Sequence, residues 1–177
     1  MYLYVVRHGQ TEWNVLKKMQ GSADIELNEK GLIQANTTAD MLKSSTFDII
    51  FCSPLKRAKQ TAEIINSKRG LNVVFDDRLK ERNYGEFEGT SKSSFDYNEF
   101  WSYQKNVKYE KAENVQEFFK RIYDFLDDIT SKEYNNILIV CHAGVEKAIE
   151  CYFKGLMPDD EIGPFLPDNA RVLKYKK

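Results

Sequence analysis

The stretch Asn136-Ile137-Leu138-Ile139-Val140-Cys141-His142-Ala143-Gly144 decides the architecture. Its apolar run does not alternate, is rich in Ile and Val, and stops at a histidine followed by small residues. An unbroken run of this kind reads as a strand covered on both faces, the pattern of a parallel strand. Tyr2–Val6, Asp48–Cys52 and Asn72–Phe75 read the same way. A fifth run, Arg171–Tyr175, alternates and leads into Lys176-Lys177, which suits an edge strand.

Helical periods lie between these runs. Leu32, Ala35, Ala39 and Leu42 make one apolar stripe, and Leu55, Ala58, Ala62 and Ile65 another at the same spacing. Val115, Phe118, Phe119, Ile122, Leu126 and Ile129 form the longest, and Val145, Ala148, Ile149 and Tyr152 the last. Ser53-Pro54 reads as an N-cap followed by proline at the first helical position, and Asn28 as the cap of the helix near Gly31. Strands alternating with helices predict an α/β fold: a three-layer α/β/α sandwich with a mostly parallel central sheet and one edge strand. Residues 1–177 read as a single domain with no linker or repeat, and 85–113 is the longest segment of uncertain structure.

Composition narrows the function classes. With 177 residues, 26 basic against 27 acidic side chains and a net charge of −1, the chain has no global attraction for nucleic acid or an anionic membrane. No stretch approaches the ~18 apolar residues of a membrane helix. Tyr2–Val6 is cut off by Arg7 and lacks the layout of a secretory leader. Three cysteines cannot complete a disulfide framework, so a reduced, cytoplasmic location is expected.

Only two histidines are present, and each follows a strand. In open α/β sheets, ligands bind beyond the carboxyl ends of the strands. The first strand empties into Arg7-His8-Gly9-Gln10-Thr11, the second into Cys52-Ser53-Pro54-Leu55-Lys56-Arg57, and the fourth into Cys141-His142-Ala143-Gly144. Two arginines, a histidine and helix N-termini suit a dianion such as a phosphoryl group, because the arginine fork pairs two oxygens at once. The other histidine, as a neutral imidazole, is a competent nucleophile toward phosphorus. Departure of the leaving group needs a proton donor, and Glu81, just after the third strand, is the best-placed carboxylic acid. Neither histidine has a second ligand at metal-binding spacing, so no metal is expected.

These segments resemble the histidine phosphatase superfamily, which includes the cofactor-dependent phosphoglycerate mutases. Arg7-His8-Gly9-Gln10-Thr11-Glu12-Trp13-Asn14 is similar to that family's R-H-G-E-[ST]-x-x-N signature, with Gln10 where glutamate is usual. Gln20-Gly21, Asp24 and Leu27-Asn28-Glu29-Lys30-Gly31 resemble the next conserved segment, and Ser53-Pro54-Leu55-Lys56-Arg57-Ala58-Lys59-Gln60-Thr61-Ala62 the one after it. Glu81–Gly89 resembles E-x-x-[FY]-G-x-[WF]-E-G, and Cys141-His142-Ala143-Gly144 resembles S-H-G-G with departures at Cys141 and Ala143. The resemblance covers nearly the whole chain. It implies His8 as nucleophile, Glu81 as general acid, and Arg7, Arg57 and His142 around the phosphoryl oxygens. It also implies that Asn14 positions the phosphoryl group, that Gln20, Gly21, Tyr84 and Ala143 line the substrate side, and that no cofactor is needed.

Between the family's activities, hydrolysis of a small phosphomonoester, by an α-ribazole phosphatase-like or broad-specificity enzyme, is the expectation, with a phosphoglycerate mutase as the alternative. Residues 95–105 contain no arginine, unlike the corresponding mutase insertion, although Lys92 matches a basic mutase position. The aromatic cluster Phe95, Tyr97, Phe100, Trp101, Tyr103 and Tyr109 reads either as a specificity lid or as plain packing.

Overall fold

The computed structural model describes residues 1–159 and 168–177. Its strands are β1 (Tyr2–Arg7), β2 (Ile49–Cys52), β3 (Val73–Phe75), β4 (Asn136–Cys141) and β5 (Val172–Lys176). They form one sheet in the order β3-β2-β4-β1-β5. The first four pair in parallel, and β5 lies antiparallel on β1, at one edge as its alternation predicts for its place and with a direction that only the structure gives. Around the sheet run α1 (Glu12–Val15), α2 (Glu29–Met41), α3 (Lys56–Asn66), α4 (Tyr97–Trp101), α5 (Val115–Thr130) and α6 (Ala143–Lys154).

Side-chain alternation sorts the strands between two cores. Leu3, Val5, Ile49, Phe51, Ile137 and Ile139 pack with the apolar faces of α5 and α6. Val6, Ile50, Cys52, Leu138 and Val140 pack with Ala58, Ala62 and Ile65 of α3 and with Leu42 beyond α2. Both faces of the sheet are therefore covered, and the three layers follow. Every position of the long stripe on α5 is buried.

Local readings differ at three places. β3 is an edge strand rather than a fully covered one, with Phe75 47% exposed, because only β2 pairs with it. The buried face of α2 is Gly31, Ala35 and Thr38, while Leu32 points outward. The helix is rotated by a backbone approach: a Cβ on Gly31 would lie 2.1 Å from the Gln10 carbonyl oxygen. Asn28 caps this helix as expected, accepting from the Gly31 N–H at 2.9 Å. Finally, α3 begins at Lys56 with Leu55 as N-cap and no side-chain cap, because the Ser53 hydroxyl is drawn to His142 instead. Among the described residues, no helix is long and apolar enough to cross a membrane. Cys52, Cys141 and Cys151 are free and buried.

Candidate active site

The parallel register brings the ends of β1, β2 and β4 to one edge. His8 N–H donates to the Cys141 carbonyl at 3.0 Å, and Ser53 N–H to the Val140 carbonyl at 3.0 Å. The residues after these strands are thereby placed side by side, and the two histidine rings lie 5.2 Å apart between centroids.

His8 is buried, with Nδ1 2.7 Å from the carbonyl oxygen of Gly9. A carbonyl only accepts, so Nδ1 carries the proton and Nε2 keeps its lone pair. That lone pair accepts from Arg57 Nε at 3.2 Å. Burial and the Arg57 and Arg7 charges hold the imidazole pKa well below the usual histidine value, so His8 is neutral at physiological pH.

Arg57 is completely buried in the first turn of α3. Its terminal nitrogens donate to the Ala23 and Gly21 carbonyls, both at 2.7 Å. Burial pulls its pKa down to about 10, which still leaves it cationic. These bonds fix the guanidinium plane, since a fork held at three points cannot rotate. Arg7 ends β1 and faces the same cleft; burial lowers its pKa, partly offset first by Glu146 and then by Glu81.

Glu81 follows a 3-10 turn (Asp77–Leu79) after β3. Its two carboxyl oxygens each accept a backbone N–H, Oε1 from Arg82 at 2.9 Å and Oε2 from Gly144 at 3.0 Å. The second donor belongs to the N-terminus of α6, whose first N–H groups have no partner within the helix. The absence of a side chain at Gly144 is required here: a Cβ would sit 2.3 Å from Glu81 Oε1.

His142 is the N-cap residue of α6 and is completely buried. Its Nε2 lies 2.7 Å from Ser53 Oγ, while Nδ1 finds no partner among the described residues. Burial, with Arg57, His8 and Arg7 close by, depresses its pKa well below the usual histidine value. His142 is therefore neutral at physiological pH.

Arg7, His8, Asn14, Gln20, Gly21, Arg57, Glu81, Tyr84 and Ala143 all line one cleft of about 840 Å³. His142 stands behind this lining. Asn14 closes a capping box with Thr11, and its Oδ1 accepts from Thr11 N at 3.0 Å, which leaves the amide NH2 as the donor. Of the aromatic cluster, only Tyr97 lines the cleft. Phe100 and Trp101 are core residues, and the Arg82 guanidinium stacks 3.7 Å from the Phe100 ring centroid. The packing reading thus holds for most of the segment. Sequence reasoning missed Ser53 as the partner of His142, although its place beside a strand end was a usable signal. It also missed Asn169, whose Nδ2 donates to the His8 carbonyl at 3.1 Å from the far end of the chain. Among the described residues, no group of three or more His, Cys, Asp or Glu side chains converges as metal ligands.

These buried groups give stability a distinctive pH dependence. Both histidines have folded pKa values below their unfolded ones, so their contribution is complete above about pH 6.5 and is lost as pH falls. Glu146, completely buried in α6, has the opposite sign: burial pushes its carboxyl up to about 8. Its folded state holds a proton that the unfolded chain releases, so stability falls with rising pH until about 8. The urea midpoint is expected to peak near pH 6.5, with slopes of at most about 1.4 kcal/mol per pH unit for each group. Glu146→Gln should remove the decline between pH 6.5 and 8; an unchanged decline refutes this account.

A family profile described as histidine phosphatase superfamily (branch 1) matches residues 3–176. The chain is 38% identical over 156 residues to an uncharacterised phosphatase of Bacillus subtilis, covering 88% of this chain and 78% of that protein. It is 29% identical over 171 residues to a 2,3-bisphosphoglycerate-dependent phosphoglycerate mutase of Cytophaga hutchinsonii, covering 89% and 79%. Among solved structures, a phosphoserine phosphatase of Entamoeba histolytica in complex with phosphoserine superposes with a TM-score of 0.83 at 28% identity, covering 98% of this chain and 89% of that one.

Proposed function

The chain belongs to the histidine phosphatase superfamily, and on that premise we propose that it is a metal-independent phosphoric monoester hydrolase acting through phosphohistidine on His8. The observation that carries this reading is the state of His8: Nδ1–H is tied to the Gly9 carbonyl, and a neutral Nε2 is directed to the Arg57 guanidinium. A dianion bound by Arg57 and Arg7 takes the Arg57 Nε–H in place of His8 Nε2 and is brought against the lone pair so freed. Nε2 attacks phosphorus, the P–O bond to the organic group breaks, and Glu81 gives its proton to the departing oxygen. Glu81 then takes a proton from water, which attacks the phosphohistidine and releases inorganic phosphate while restoring His8.

The arginines stabilise charge on the equatorial oxygens of the transferring group. The other N–H of each Arg57 terminal nitrogen remains for this contact. His142 meets a phosphoryl oxygen through its unbonded Nδ1, and the arriving dianion favours a proton there. Asn14 donates its amide to the phosphoryl group, Gln20, Gly21 and Tyr84 face the organic part, and Ala143 brings the α6 N-terminus close. No nucleic acid or membrane partner is invoked, the substrate being a small phosphorylated metabolite.

The mutase reading has one favouring observation, since Lys92 lines the cleft. Hydrolysis is preferred because segment 95–105 offers the cleft only Tyr97 and no second guanidinium. The test is turnover of an isotopically labelled phosphomonoester in EDTA, with an alkaline quench that preserves phosphohistidine. Label on His8 and stoichiometric release of inorganic phosphate are expected. Strong inhibition by EDTA, or transfer between the 2- and 3-positions of phosphoglycerate outrunning phosphate release, overturns the reading.

A further inference from the structure

The two halves of the proposed chemistry stand on separate turns. Gly21 and Ala23 supply the carbonyls that hold the Arg57 guanidinium, and the turn that follows Glu81 carries Tyr84 into the cleft. One carboxylate oxygen meets both turns. Glu88 Oε1 accepts from the Ser22 N–H at 2.7 Å, from the Ser22 hydroxyl at 2.8 Å and from the Tyr84 N–H at 3.1 Å. Glu88 is itself half-buried and is not among the residues lining the cleft, so it acts only through its neighbours.

The path from Glu88 to Arg57 is a single peptide plane. The Ser22 N–H that donates to Glu88 and the Gly21 carbonyl that accepts from Arg57 Nη2 at 2.7 Å belong to one rigid unit, so turning one turns the other. The Ala23 carbonyl, on the other side of Ser22, accepts from Arg57 Nη1. Gly21 makes the approach possible, since a Cβ there would lie 2.4 Å from Glu88 Oε1. At the far end of this turn Asp24 accepts the Lys56 N–H at 2.7 Å, which fastens the turn to α3. Toward Glu81 the path is equally short. Glu88 holds the Tyr84 N–H, and Glu81 Oε1 accepts from the intervening Arg82 N–H.

The fold at this junction has support besides Glu88. The Gly89 N–H donates to the Met19 carbonyl at 2.8 Å, and the Met19 N–H to the Thr90 carbonyl at 2.9 Å. Those bonds join the two chain segments but do not orient the Gly21–Ser22 peptide against the Tyr84 turn. A carboxylate does so firmly, because hydrogen bonds to an ionised acceptor are the stronger kind. We propose that Glu88 is a positioning residue that keeps the phosphate-holding Arg57 and the proton-donating Glu81 in register by gripping the turns behind both. This rests on the phosphatase reading and adds to it a residue outside the cleft. Register matters because a misplacement of about 1 Å between reacting groups costs on the order of 10²-fold in rate.

The experiment uses the whole protein and two readings, one for each turn. Competitive inhibition of p-nitrophenyl phosphate turnover by inorganic phosphate reports on Arg57. The rate at which glycerol phosphate phosphorylates His8, relative to p-nitrophenyl phosphate, reports on Glu81, because only the departing alkoxide needs its proton. Glu88→Ala is expected to weaken phosphate binding and to lower the glycerol-to-nitrophenyl ratio, each by about tenfold. Glu88→Gln keeps an acceptor oxygen for Ser22 and Tyr84 and should return both readings to within about threefold of the unaltered protein. Ser22→Ala removes the hydroxyl donor alone and should move both the same way by about two- to threefold. A residue serving stability only would lower the active fraction, counted as phosphohistidine per chain, and leave both readings where they were. Unchanged readings in Glu88→Ala, a shift in one of them alone, or a Glu88→Gln variant no better than Glu88→Ala overturns the proposal. Should Glu88→Ala fail to fold, by circular dichroism, Ser22→Ala decides, and unchanged readings there overturn it. Absence of both phosphohistidine and phosphate release in the unaltered protein overturns the phosphatase reading beneath it.

Discussion

His8→Ala is expected to lower phosphomonoester turnover by on the order of 10⁴-fold or more, and to abolish the labelled phosphoenzyme. The size follows from the arrangement. No other neutral nucleophile stands in its place: His142 is held on Ser53 through Nε2, and its Nδ1 serves a phosphoryl oxygen rather than phosphorus. The two arginines bind a phosphoryl group but cannot attack it. Steady-state turnover with p-nitrophenyl phosphate measures the loss, and binding of inorganic phosphate checks that the site survives. Arg57 keeps its bonds to the Ala23 and Gly21 carbonyls in the variant, so phosphate should still bind. His8→Asn, which fills more of the buried space, guards against a purely structural collapse. Either variant retaining more than about one per cent of turnover would exclude His8 as the attacking group, since covalent catalysis without its nucleophile leaves only electrostatic and positioning effects.

Glu81→Gln should have a different signature. General acid–base catalysis contributes roughly 10²–10⁴-fold, and a loss of that order is expected for alkyl phosphates, whose departing alkoxide needs a proton. Nitrophenolate leaves without one, so phosphorylation of His8 by p-nitrophenyl phosphate should be far less affected. Breakdown of the phosphoenzyme still requires a base for water. The variant is therefore expected to show a rapid burst of nitrophenolate followed by slow turnover, with phosphohistidine accumulating. Glutamine preserves the shape and keeps an acceptor for one of the two backbone donors, Arg82 N–H and Gly144 N–H. Equal losses for alkyl and nitrophenyl esters in the phosphorylation step would move the acid role away from Glu81.

The legible part of this protein is the part encoded locally. Strand runs, the α5 stripe and the Asn28 cap depend on neighbours within a few residues, and they appear where the sequence places them. The strand-end rule then gathers Arg7, His8, Arg57 and Glu81, because a parallel sheet puts every carboxyl end on one side. Less legible were features that depend on a distant partner. The exposed Leu32 reflects a glycine pressed against Gln10, and Ser53 forgoes a helix cap for a histidine 89 positions away. The aromatic segment 95–109 kept two readings open because periodicity does not say which rings meet a core and which a ligand; contact with α5 and Arg82 selects packing for Phe100 and Trp101.

The sequence by itself therefore determined the α/β class, the edge place of the last strand and the set of residues that meet at the strand ends. Hydrophobic period and strand direction are local properties, and direction alone decides which ends share a side. Only the tertiary structure decided protonation and charge distribution. Burial makes both histidines neutral, the Gly9 carbonyl selects the tautomer of His8, and chain folding brings Lys17 and Lys18, Lys30 and Lys92 from three segments to one cleft. Desolvation and Coulomb interaction depend on distance through space, which no spacing along the chain records.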